Sequence, residues 1–319
     1  MRGWRNWQTR HLEVVVPARA WRFKSSPAHQ MISSEIGILF SILALIFWGV
    51  GDFLIQKSVR KIGDWESLFV ISLVGLVAIF PFIYQDIYLI FENSNLLIFC
   101  FISTTFLIAS LIGFESYKVG KISIVEPIQV VEIPVSGLLA YFFLKEGINP
   151  FAVVVIILLM IGLVSLSLKN HHLKRHSWVE KGVFLAIISS LFMGSANFLI
   201  AFTSRITNPL LVVWFFNFFI TMITLIYLLF NHDFFKLLRD ISEHKKFLLS
   251  VGILDNLAWI CFAFAVSIIP VAIAVVLSES YIALAVILGV LINKEILTKH
   301  QIAGIFITIP SAILLALLI

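Results

Sequence analysis

Apolar runs of roughly 20 residues, parted by short polar breaks, set the pattern of this chain from residue 36 onward. As helices rising 1.5 Å per residue, such runs cross a hydrocarbon core of about 30 Å. The spacing predicts spans at 36–56, 66–84, 96–117, 121–143, 150–169, 180–203, 209–230, 247–267, 271–292 and 300–319. Gly120 and Pro270 mark the tightest breaks, where only a few residues part neighbouring runs. Barrel strands would instead alternate over about ten residues, and no such alternation is present. The expected fold class is an all-α membrane protein with ten transmembrane helices in two inverted five-helix repeats.

The repeats are legible as self-similarity. Trp48–Ile55 (WGVGDFLI) aligns with Met193–Ile200 (MGSANFLI) at an offset of 145, matching Gly, Phe, Leu and Ile. Leu144-Lys145-Glu146 aligns with Asn293-Lys294-Glu295 at an offset of 149. The units expected are a leader at 1–30, a first repeat at 31–170 and a second at 177–319. An odd number of spans per unit forces the units into opposite orientations, with a site expected at their interface near midplane.

Composition removes the soluble classes: 319 residues are 60% hydrophobic and 13% charged, with a mean hydropathy of +1.03. The net charge of +5 is concentrated in residues 1–30, where Arg2, Arg5, Arg10, Arg19, Arg22 and Lys24 face Glu13 alone. From Met31 onward 17 basic residues balance 17 acidic ones, so nucleic-acid binding has no support. Met1–Gln30 holds neither a signal-length apolar segment nor an amphipathic period, and it resembles translated tRNA-gene sequence; the expectation is that synthesis begins at Met31. The alternative is a basic tail touching anionic lipid. Cys100 and Cys261 lie in apolar runs and give neither a disulfide framework nor metal spacing. No cofactor or metal is expected.

Counting Lys and Arg in the breaks gives fifteen on one side, among them Lys57, Arg60, Lys61, Lys118, Lys181, Lys236, Arg239, Lys245 and Lys246, against Lys145 and Arg205 on the other. That asymmetry places the fifteen in the cytoplasm and both termini outside it.

Carboxylates inside apolar runs are the candidate chemistry, because each costs on the order of 2.5–3.5 kcal/mol at a helix centre. In the fourth run Glu126, Gln129, Glu132 and Ser136 fall at spacings of three, three and four, within one roughly 120° arc, beside Pro127 and Pro134. By repeat register they face Ser278 and Tyr281, with Glu279 adjacent. Asp52 follows Gly49 and Gly51 in the first run and is matched by Asn197; it is positioned to exchange a proton for cargo. Asp255 and Trp259 lie one turn apart, so the indole can present a face to a cation, or simply fill the bundle. Glu115 fits an i,i+3 pair with Lys118, and Glu146 and Glu295 each suit the positive end of the helix that follows. His171, His172 and His176 read as a solvated loop. No phosphate-cradling loop or hydrolase motif is present, so ATP-driven transport and hydrolysis lack support and no enzyme activity is expected.

With Trp48-Gly49, Pro127, the Lys-Glu pairs ending at Glu146 and Glu295, and the glycines Gly162 and Gly304, the chain resembles an EamA-type, ten-helix member of the drug/metabolite transporter superfamily. The resemblance spans 36–319. It implies a secondary transporter of small polar metabolites in the cell (inner) membrane, whose partners are a small-molecule substrate, protons and the bilayer. The chain departs from the family in an acidic break, Gln85-Asp86 to Glu92-Asn93, and in the side of its termini. A flippase for lipid-linked or sugar-containing substrates and a non-transporting scaffold remain alternatives.

Overall fold

The computed structural model describes residues 27–92, 95–119, 125, 128–167, 177–231, 234–281, 283–284 and 298–318, excluding the side chains of 27–33, 52, 167 and 177–180. Among these residues the protein is all helical, without strands. The helices are α1 (Pro27–Ile62), α2 (Asp64–Ile83), α3 (Asn95–Val119), α4 (Glu132–Leu139), α5 (Pro150–Ser167), α6 (Ser177–Ile206), α7 (Pro209–Phe230), α8 (Phe234–Ile268), α9 (Val271–Ser278) and α10 (Lys299–Leu317). A short 3-10 helix at Ile87–Phe91 joins α2 to α3, and α4 runs on as a π-helical turn at Ala140–Leu144. Seven helices among the described residues are long and apolar enough to cross a membrane: α1, α2, α3, α6, α7, α8 and α10. Glu132–Leu144 and Pro150–Leu166 are apolar but shorter. Residues 285–292, the later part of the ninth expected span, lie outside the described residues, as do Glu295 and the proposed leader's residues 1–26.

Two expected boundaries are corrected. The eighth run begins 13 residues earlier than 247, because Phe234–Glu243 forms a helical turn sequence that merges with the span across a kink at His244 (φ −123°, ψ 21°). The fourth run is not one helix from 121 to 143: the described part turns at Val130–Val131 before α4 starts at Glu132.

The core follows from membrane packing rules, in which small residues let helices approach. A Cβ at Gly162 would meet Thr308 Oγ1 at 2.3 Å and the Gly304 carbonyl at 3.2 Å, so α5 and α10 cross at the two glycines that the sequence singles out. A Cβ at Gly49 of α1 would meet Leu284 and Tyr281; at Gly194 of α6 it would meet the Glu132 carbonyl and Val135. Those two contact sets stand in the same sequence register, 145 apart on the glycine side and 149 on the other. The first helix of each repeat therefore lies against the fourth helix of the other.

Candidate functional site

Pro134 offers no N–H to the Val130 carbonyl, and the α-helical ladder is interrupted at this turn. Shorter bonds replace it, from Val131 N to Ile128 O (3.0 Å) and from Ile133 N to Val130 O (3.2 Å). Glu132 opens the helix that follows. In the second repeat α9 stops at Ser278, and Glu279–Ser280 turns with Ser280 N donating to Leu277 O (3.3 Å) and Ala283 N to Ser280 O (3.0 Å). The turns at 130–131 and 279–280 are again 149 residues apart. Each interruption sets a carboxylate, Glu132 or Glu279, beside loosened backbone in the middle of the bundle.

Both carboxylates line one cavity with an empty volume of about 1030 Å³, counted to its open mouth. Gln129, Asn197, Asp255, Trp259 and Tyr281 line it as well, so seven of the ten sequence-expected positions converge there. Glu132 and Glu279 are buried and Asp255 is half-buried. Asn197 donates through Nδ2 to Glu132 Oε2 at 3.3 Å, whereas its buried Oδ1 has no hydrogen-bond partner. Tyr117 donates to Gln129 Oε1 at 2.8 Å. The described lining includes three carboxylates and no Lys, Arg or His. Ser278 is not on the wall; it is fully buried and its hydroxyl donates to the Ser41 carbonyl at 3.4 Å. Glu126 and the Asp52 side chain lie outside the described residues.

Trp259 lines the cavity but is buried among other rings rather than presented as an open cation platform. Trp48, Phe106, Phe216 and Phe262 surround it at centroid distances of 5.0, 4.7, 5.9 and 5.6 Å, with interplanar angles of 78°, 77°, 79° and 88°. Edge-to-face packing of this kind makes a dense aromatic floor. Several wall residues escaped the sequence reading: Ser110, Tyr117, Ser189, Ser190 and Asn217. Hydroxyls of this type satisfy themselves on neighbouring carbonyls, as Ser189 does on Ala109 O (2.9 Å) and Ser190 on Ala186 O (2.8 Å), so nothing in sequence separates them from packing residues. Asn217 belongs to a closed network with Asn256, which reaches the Ile71 carbonyl at 2.9 Å.

The cavity's position along the bundle follows from its lining. It uses Leu68–Ser72 of early α2 and Phe106–Tyr117 of late α3, so it runs toward the end where Lys118 pairs with Asp64 (2.6 Å) and Lys181 with Glu115 (3.5 Å). The opposite end is shut. There Arg205, near the end of α6, binds Glu146 and also donates to the carbonyls of Val266 and Ile269 (both 2.9 Å). Glu146 Oε2 accepts from Val271 N at 2.9 Å. Glu146 thus serves the start of α9 rather than that of α5, the helix expected from sequence order. Asn208 adds a bond to Asp86 at 2.6 Å at this end.

Three comparisons bear on this architecture. Residues 35–168 and 180–317 each match the EamA-like transporter family. An uncharacterized protein of Methanocaldococcus jannaschii is 27% identical over 137 residues, which cover 43% of this chain and 99% of that protein. That relative is therefore about as long as one matched segment. A solved crystal structure, 11% identical, superposes with a TM-score of 0.71 over 88% of this chain and 96% of its own, which shows a shared fold.

Proposed function

The chain belongs to the EamA-like transporter family, an assignment resting on two segments that span most of its length, and from it we propose a secondary active transporter of small cationic or zwitterionic metabolites. It spans the cell membrane ten times, in two five-helix repeats of opposite orientation, and works by alternating access. The observation that carries this reading is the cavity chemistry. Glu132, Asp255 and Glu279 share one water-accessible space with the unsatisfied Asn197 Oδ1, and no cationic side chain is found on the described wall. Three carboxylates facing no cationic side chain on the described wall suit an amine or a proton. Cargo and protons then compete for the same carboxylates, and proton entry releases cargo.

The conformer is open toward the end bearing Lys118 and Lys181, which the Lys/Arg asymmetry assigns to the cytoplasm. The aromatic floor around Trp259 and the Arg205–Glu146 pair close the outer end. Transport requires that this closure and the inner opening exchange.

The test begins with a thermal-shift screen of amino acids, polyamines and quaternary amines on the purified protein at two pH values. Uptake of the best ligand into proteoliposomes is then compared with the Glu132→Gln variant. Losing a charge-assisted contact of about 1.5–3 kcal/mol lowers pH-gradient-driven uptake roughly 10- to 100-fold, while the variant melts within a few degrees of the parent. Uptake with an unchanged pH dependence removes the proposed mechanism.

A further inference from the structure

The first ten residues of α8, Phe234–Glu243, are not needed to cross the bilayer. The part beyond the His244 kink, Lys245–Ile268, spans roughly 36 Å by itself. What the leading segment does can be read from its faces. Leu237 is fully buried, and with Phe234 and Ile241 it packs on a cluster formed by Ile62, Phe69, Val70 and Leu228, where α1, α2 and α7 meet. This docks the segment on the Lys-rich end of the bundle.

Its other face carries an unusual pairing. Phe235 is 81% and Leu238 46% exposed, and they lie 300° apart in angular order, which is a 60° arc on the helix surface. Exposed Arg239 and Lys236 follow on one side of that arc, with Glu243 between them, and Lys245 and Lys246 follow the kink, all four basic residues exposed. Against them the segment holds Asp240 and Glu243, so four positive charges face two negative ones. Depth is marked by Trp65, which packs on the same cluster and stacks on Tyr227 with centroids 3.8 Å apart. Trp and Tyr collect at the boundary between headgroups and acyl chains. An amphipathic helix held at that depth, with apolar residues bordered by Lys and Arg, has the chemistry of an in-plane interfacial helix.

We propose that Phe234–Lys246 is a docking surface for anionic phospholipid headgroups in the cytoplasmic leaflet. Phe235 and Leu238 enter among the upper acyl carbons, and Lys236, Arg239, Lys245 and Lys246 reach the phosphates by extending their stems along the boundary. Because the segment clamps α1, α2 and α7 together through Leu237, lipid bound on its outer face stabilises the cytoplasmic end of the bundle. The surface is separate from the cavity, and this inference does not depend on the cargo.

The test uses the whole protein in nanodiscs of phosphatidylcholine, with or without about one third phosphatidylglycerol. Anionic lipid raises the melting temperature by roughly 5 °C. Neutralising the surface (K236Q/R239Q/K245Q/K246Q) reduces the rise to about 1 °C, and F235S/L238S removes about half of it. Neutralising the end of α1 instead (K57Q/R60Q/K61Q) leaves most of the rise in place. The assignment is overturned if phosphatidylglycerol gives no rise, if the α8 variant keeps it, or if the α1 variant loses as much. Inorganic phosphate producing the same rise in detergent would show an ion site rather than a lipid surface.

Discussion

The two ends of the bundle are held by different chemistry. At the open end the ties are Lys118 to Asp64 and Lys181 to Glu115, and the lysines are 37% and 57% exposed. Lysine is a flexible point charge, and the Lys181–Glu115 pair, exposed on both sides, contributes about 0–1 kcal/mol, while Lys118 meets an Asp64 carboxylate that is only 10% exposed. At the closed end one guanidinium donates to a carboxylate and to two main-chain carbonyls, and the same carboxylate receives the Val271 amide. That arrangement is directional and ties α6, the turn after α4 and the α8–α9 connection at a single point. Coulombic ties of this kind resist parting of the open end only weakly, whereas parting the closed end requires several oriented bonds to break together.

The largest effect is therefore expected from Arg205→Gln. It leaves the Val266 and Ile269 carbonyls without their donors and Glu146 without its counter-charge, a loss of roughly 1.5–3 kcal/mol. In a background of C100A/C261A, a cysteine at position 269, which is buried beside the pair, should react with an impermeant maleimide about 10- to 100-fold faster once Arg205 is gone. An unchanged labelling rate would mean that apolar packing holds the end shut and that the ion pair is incidental. Lys181→Gln, which breaks the pair exposed on both sides, should do much less: a fall in melting temperature of about 1–3 °C, matched in the parent by raising the salt, with labelling at position 269 altered less than about twofold. A large response at position 269 would show that the ends are coupled through the charge network and would erase the contrast.

How much of this was readable beforehand depends on whether a residue's environment is set locally. A carboxylate in an apolar run is conspicuous, so Glu132, Asp255 and Glu279 stood out before their shared cavity was visible. Ser189 and Tyr117 did not, because both residue types are equally at home in packed helices. The Arg205–Glu146 tie joins positions 59 apart with no pattern between them, and sequence order pointed Glu146 at the wrong helix. Phe234–Glu243 was passed over as a polar break, although its apolar residues do recur at helical spacing, since their density is too low for a span. For Trp259 sequence leaves a cation face and simple bundle filling both open, because it shows a Trp near an acid but not the four rings that occupy its surroundings.

The smallest effect is expected where sequence gives the loudest signal. α4 and its π-helical continuation run from the cavity at Glu132 to Leu144, just before Glu146 at the closed end, so the interruption there bears on whether motion at one end reaches the other. Pro134 looks like the cause of the turn. Yet Glu279–Ser280 makes the matching turn in the second repeat with Ala283 at the corresponding place. What the two sites share is a glycine of the opposing helix lying against them, Gly194 on Glu132 and Val135, and Gly49 on Tyr281 and Leu284. If packing across these glycines sets the turn, Pro134→Ala changes little. The melting temperature should move by about 1–2 °C and labelling at position 269 by less than about twofold, because Ala at an existing turn recovers no helix. If proline alone made the turn, the variant would recover much of the roughly 3 kcal/mol that proline costs within a helix, straighten α4 and carry the closed end with it. A marked rise in stability together with faster labelling at position 269 would show that the two ends are one mechanical unit, held apart in the parent by a single missing N–H.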